Sequence, residues 1–129
     1  MTMANNALLI VDDDRELLDA LAETLEGEGF DVAKAANGRE ALARLRAAPL
    51  PAAVLLDLNM PVMNGWQFCA AKKADPAIQG VPVIVLSAAA KKDPASPYYL
   101  DVEEIVSKPI EMEELLGAIE RVVPGGQAP

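Results

Sequence analysis

The chain predicts an α/β domain built on a parallel sheet, doubly wound with helices on both faces. Three observations carry that prediction. Five short apolar runs alternate with stretches of helical periodicity. The first and fourth of those runs are continuous rather than alternating, as strands covered on both faces require. Hydrophobic residues make up 52% of the 129 residues and aromatic ones only 4%, so the core is Leu, Ile, Val and Ala. Strands separated by helices need crossover connections, and the right-handed rule puts those on both faces. The length suits one domain.

The first run, residues 7–12, reads ALLIVD and ends in acid. A helix follows, with Asp14 as N-cap and Leu17, Leu18, Leu21, Ala22 and Leu25 as its buried stripe. Gly27 and Gly29 end it. Residues 30–35 form a weaker strand near an edge, because Asp31 and Lys34 interrupt it. Asn37-Gly38 turns into a helix carrying Ala41, Leu42 and Leu45, stopped by Pro49 and Pro51. The third strand, 52–57, again ends in an acid. A loop over 58–64 leads to a helix from Gly65 to about Lys73, where Trp66 and Phe68 pack. Residues 81–87 are the fourth strand, and the short fifth, 104–107, runs into Lys108-Pro109. A last helix spans roughly 111–123 with Leu115, Leu116, Ile119, Val122 and Val123 on one face. The domain is thus expected over 7–123, with a flexible start at 1–6 and a disordered tail at 124–129. Between the last two strands, Pro94 and Pro97 leave room only for a short or distorted helix, with Ser96 as N-cap.

Composition removes several function classes. With no histidine, Ser-His-Asp catalysis and histidine metal ligation are excluded. One cysteine, Cys69, excludes a disulfide framework and a cysteine zinc site, and it reads as a small buried apolar residue without a basic neighbour. A net charge of −9 argues against binding a phosphate backbone, so no direct DNA binding is expected. No apolar run approaches the roughly 18 residues of a membrane span, and the start lacks a signal-peptide pattern. A cytoplasmic protein without membrane contact is the expectation.

In doubly wound sheets, ligands bind at the carboxyl ends of the strands. Here those ends carry Asp12-Asp13, Asp57, Ser87 and Lys108. Taken singly, each has a bland reading as a cap, loop hydroxyl or solvated charge. Jointly they differ, because the fold brings them to one crevice. Crowded carboxylates repel unless a cation sits among them, and oxygen-only ligands select a hard divalent ion, Mg²⁺ (or Mn²⁺). A lysine and a hydroxyl across the crevice suit a group with several negative oxygens, such as a phosphoryl. A carboxylate beside a metal can attack phosphorus to give an acyl phosphate.

With those residues in place, the sequence resembles a known family. Val11-Asp12-Asp13-Asp14, the run from Leu55 to Pro61 with Gly65, Leu86-Ser87-Ala88 and Ser107-Lys108-Pro109 look like the response-regulator receiver domain of two-component signalling. The resemblance covers about residues 7–123, with the motifs in order. It implies the flavodoxin-like (βα)5 fold with strand order 2-1-3-4-5. It makes Asp57 the phosphoacceptor, charged from a histidine kinase or histidine phosphotransfer protein. Asp12, Asp13, Asp57 and the backbone carbonyl of Asn59 would hold Mg²⁺. Ser87 and Lys108 would each bond a phosphoryl oxygen, with the Lys108-Pro109 peptide usually cis in the family. Asp14 remains a helix cap.

Departures from the family pattern matter as well. The aromatic residue usual three positions before the lysine is Ile105, and Tyr98 and Tyr99 lie too far upstream to replace it. Any relay is then expected to move the segment 88–100 rather than a ring. Ala89 cannot orient a hydrolytic water, which predicts a longer-lived acyl phosphate. The leading reading is a stand-alone receiver that signals by binding an unidentified downstream protein or by phosphorelay, and a monomer, since the regions used by family dimers are altered. A receiver fold with vestigial phosphorylation is the alternative. A phosphatase with an Asp nucleophile is disfavoured, because Asn59 cannot serve as its general acid. Acidity is concentrated: residues 12–31 hold nine acids and one base, and 101–120 seven and one. The first and last helices should share one face, where a basic phosphodonor surface would dock.

Overall fold

The computed structural model describes residues 6–47, 49–58, 60, 62–87 and 102–123. Five parallel strands form one sheet: β1 (Ala7–Val11), β2 (Asp31–Ala35), β3 (Ala53–Asp57), β4 (Val83–Leu86) and β5 (Glu104–Val106). Their order is β2-β1-β3-β4-β5, the flavodoxin-like order. Four helices are described: α1 (Arg15–Gly27), α2 (Gly38–Arg46), α3 (Gly65–Lys73) and α4 (Met112–Val122). The expected short helix between β4 and β5 lies outside the described residues.

The two-faced strands explain the layering. Leu9, Val11, Val54, Leu56, Val83 and Val85 point to one side, where α2 and α3 bring Leu42, Leu45 and Phe68. Leu8, Ile10, Ala53, Leu55, Ile84 and Leu86 point to the other, against Leu21 and Leu25 of α1 and Leu115 and Ile119 of α4. Every residue of β3 is buried, which makes it the central strand in packing as in order. The acidic first and last helices therefore do share a layer, as their sequence positions predict.

Local signals set the helix starts. Asp14 Oδ1 accepts from the amides of Glu16 and Leu17, at 3.1 and 3.2 Å. Asn37 Oδ1 accepts from Glu40 N at 2.9 Å, and Glu40 Oε1 accepts from Ala36 N at 3.1 Å. Asn64 and Gln67 form a reciprocal capping box. β4 is shorter than the apolar run that predicts it. Pro82 has no amide to pair, and the Val81 amide turns back to Ile78 O at 3.2 Å.

Val62 has φ 71 and stands exposed in the loop before α3. A β-branched side chain in left-handed backbone is strained by roughly 1–2 kcal/mol. Val62→Asn keeps that conformation at lower cost, and is expected to raise the melting temperature by about 3 °C. A thermal melt that is unchanged or lower would show that apolar contacts of Val62 outweigh its strain.

Candidate functional site

Parallel pairing aligns the carboxyl ends of the strands. Asp57 pairs in register with Leu86, and Ser87 follows directly. The Asp12 amide donates to Ala35 O at 3.1 Å, and the Ser87 amide to Val106 O at 3.1 Å. These bonds extend the sheet by one residue at the positions of two candidate site residues. Asp12, Asp57 and Ser87 are buried, Lys108 is half-buried, and Asp13 is exposed.

Lys108 Nζ donates to Asp57 Oδ1 at 3.1 Å and lies 3.9 Å from Asp12 Oδ2. The Lys108-Pro109 peptide is cis. Asp12 Oδ1 accepts from the Asp14 amide at 2.9 Å. Asp12 Oδ2 is buried and finds no hydrogen-bond partner among the described residues. Burial pushes the Asp12 carboxyl above its ordinary value, opposed by the Asp14 amide and then reinforced by the charge of Asp57. Asp12, Asp13 and Asp57 each offer a carboxylate oxygen, all within 4.8 Å of one another. Among the described residues, three acids gather beside one lysine.

That donor set fits a hard divalent cation: oxygens only, close together, one of them buried and without a hydrogen bond among the described residues. Asn59, whose carbonyl the resemblance adds to the ligands, lies outside the described residues. So do Ala89, Tyr98, Tyr99 and the segment 88–101. Ile105 packs half-buried against the core on the α2 and α3 side.

Two glycines that the sequence reads only as helix starts make close approaches beside the site. Gly65 donates its amide to Leu58 O at 2.9 Å and closes the turn after Asp57. A Cβ there would overlap the Leu58 side chain and stand 2.7 Å from Leu58 Cα and 3.0 Å from Asp57 O. Gly65→Ala is expected to cost about 2–3 kcal/mol, read as a lower urea midpoint with an unchanged slope. A variant within experimental error of wild type would mean that the turn yields freely. Gly38 makes the second close approach, to Met63.

Further from the crevice, Cys69 is half-buried and Lys72 is its basic neighbour, which corrects the expectation of none. Burial still dominates and pushes the thiol up to about 11, so it is unreactive. Lys72 itself is buried and donates to Gln79 O at 2.8 Å. Burial lowers its pKa, against the pull of Glu103. Its spacing of one turn from buried Phe68 was the signal that it faces inward.

Comparison with known proteins agrees with this geometry. The family model for the response regulator receiver domain matches residues 8–120. The DNA-binding response regulator MtrA of Mycolicibacterium smegmatis is 36% identical over 120 residues, 92% of this chain and 51% of that protein. Protein PilG of Pseudomonas aeruginosa is 34% identical over 118 residues, 91% of this chain and 87% of its own. The chemotaxis response regulator CheY4 of Vibrio cholerae superposes with a TM-score of 0.78 at 30% identity, over 95% of this chain and all of that one. The chain thus spans about half the length of the mycobacterial relatives it matches.

Those relatives correct one expectation. The exclusion of DNA as a partner does not stand, because the matched MtrA proteins are named DNA-binding response regulators, though the match covers only about half of each. Net charge over one region constrains that region's own surface and carries no information about a protein twice as long. Among the described residues, no helix is long and apolar enough to cross a membrane. Fold, crevice and family model agree over nearly the whole chain: it belongs to the response-regulator receiver family.

Proposed function

We propose that this receiver accepts a phosphoryl group from a phosphohistidine donor onto Asp57, and that the modified state is its signal. The observation that carries this reading is the contact of Lys108 Nζ with Asp57 Oδ1 beside Asp12 Oδ2, a buried oxygen without a hydrogen bond among the described residues. An Asp57 oxygen attacks phosphorus, the phosphorus–nitrogen bond breaks, and the donor imidazole leaves. Lys108 already sits where a phosphoryl oxygen on Asp57 would lie, and supplies positive charge to it. Ser87, buried at the end of β4 between the strands that lead to Asp57 and Lys108, supplies a hydroxyl for another of those oxygens. Asp12, Asp13 and Asp57 would hold Mg²⁺ (or Mn²⁺), with the Asn59 carbonyl as a further ligand. When bound, the ion screens the carboxylates from one another and neutralises charge on the transferring oxygens. The protein acts on itself only, gaining and losing the phosphoryl without turning over other substrates.

Incubation with acetyl phosphate, read by intact mass, tests this. One phosphoryl is expected to appear with Mg²⁺ and to be absent with a chelator. No gain under conditions that modify a reference receiver would favour a vestigial interaction module.

A further inference from the structure

We propose that Gly38, at the start of α2, is a positioning residue for the turn that follows the phosphoacceptor. It acts through Met63. The proposal rests on the reading of Asp57 as acceptor.

The first amides of a helix lack partners within it and go to caps or to water. At α2, the caps of Asn37 and Glu40 satisfy the amides of Glu40 and Ala36. The Gly38 amide is used differently, donating across to Met63 O at 3.1 Å. Its missing side chain is equally specific. A Cβ on Gly38 would stand 2.8 Å from Met63 Cγ, 2.9 Å from Met63 O and 3.1 Å from Met63 Sδ. The thioether could swing aside, but the carbonyl oxygen moves only with its peptide.

That peptide is firmly connected to the site. Asn64 follows it, with its side chain accepting from Gln67 N and its amide donating to Gln67 Oε1, both at 2.9 Å. Gly65 comes next, bonded to Leu58 O and lying against the backbone oxygen of Asp57. Met63 is therefore held by α2 on one side and leads within two residues to the backbone of the acceptor. A side chain at 38 pushes on that connection. By contrast, Gly27 and Gly80 face open space, with nothing within 4 Å of an added Cβ. Phosphoryl transfer and cation binding both depend on sub-ångström placement of oxygens, so a small shift is costly.

The test compares wild type, Gly38→Ala, Gly80→Ala and Ile119→Val by Mg²⁺ calorimetry and by the rate of phosphorylation from acetyl phosphate. Gly38→Ala is expected to weaken Mg²⁺ binding about fivefold and to slow phosphorylation at saturating donor about tenfold. Gly80→Ala should stay within about twofold of wild type. Ile119→Val loosens the opposite layer, and should lower the melting temperature while leaving Mg²⁺ affinity alone. Wild-type values in Gly38→Ala, or an equal shift in Ile119→Val, overturn the proposal. If Gly38→Ala fails to fold, amide exchange in wild type decides: Mg²⁺ with beryllofluoride should slow exchange at Gly38, and no slowing overturns it. A wild type that binds Mg²⁺ but takes no phosphoryl sinks the reading of Asp57, whereas the effect of Gly38 on Mg²⁺ affinity stands or falls separately.

Discussion

Asp57→Asn is expected to gain no phosphoryl from acetyl phosphate and Mg²⁺ over a period in which wild type is fully modified. An amide oxygen is a poor nucleophile toward phosphorus, so the loss should exceed about 10³-fold in rate. The substitution is otherwise mild. The amide oxygen at position 57 can still accept from Lys108 Nζ, the bond that Asp57 Oδ1 makes at 3.1 Å. One negative charge leaves a crevice in which three carboxylates gather. Stability in a chelator should therefore be equal to wild type or higher, which separates chemical loss from misfolding. Intact mass after incubation checks the first outcome and a thermal melt the second. Modification that persists at wild-type rate would show that another side chain is the acceptor.

Asp12→Asn is expected to make the metal-free protein more stable than wild type and to abolish its response to Mg²⁺. Asp12 buries one carboxylate oxygen without a hydrogen bond among the described residues, and replacing such a charge by a neutral isostere typically gains about 1–2 kcal/mol. The pH dependence has a definite sign. Burial raises the Asp12 carboxyl above its ordinary value, so the folded state binds this proton more tightly than the unfolded chain. Its contribution is fully present below the unfolded value and is lost as the pH rises through the raised folded one. Wild type in a chelator should thus lose stability across that interval, and Asp12→Asn should lose less. Mg²⁺ at about ten times its dissociation constant would return about 1.4 kcal/mol to wild type and nothing to the variant. Thermal melts with and without Mg²⁺ check both parts. A variant less stable than wild type in chelator would mean that Lys108, 3.9 Å away, already compensates the buried charge.

Much of this site was legible before any coordinates. The acids at 12, 13 and 57 and the groups at 87 and 108 each end an apolar run, and a parallel sheet must gather such ends at one edge. The Asp14 cap was readable because it acts on amides only two or three residues away, whereas the caps at Asn37 and Asn64 emerged from the structure. Contacts between distant segments were not. Nothing in the spacing of Gly38 and Met63 says that one donates to the other. The inward turn of Lys72 toward Gln79 O depends on how α3 is rotated against the sheet.

The sequence by itself determined the order of elements, the two apolar faces of each strand and the kinds of group at the strand ends. Those follow from local periodicity and from the handedness of crossovers, which act over a few residues or by a general rule. The tertiary structure decided which oxygens meet. Lys108 reaches Asp57 at 3.1 Å across 51 positions of sequence, while Asp12, one residue from exposed Asp13, keeps a buried oxygen with no hydrogen bond among the described residues. Electrostatic energy depends on separation and on exclusion of water, and neither is a property of position along the chain.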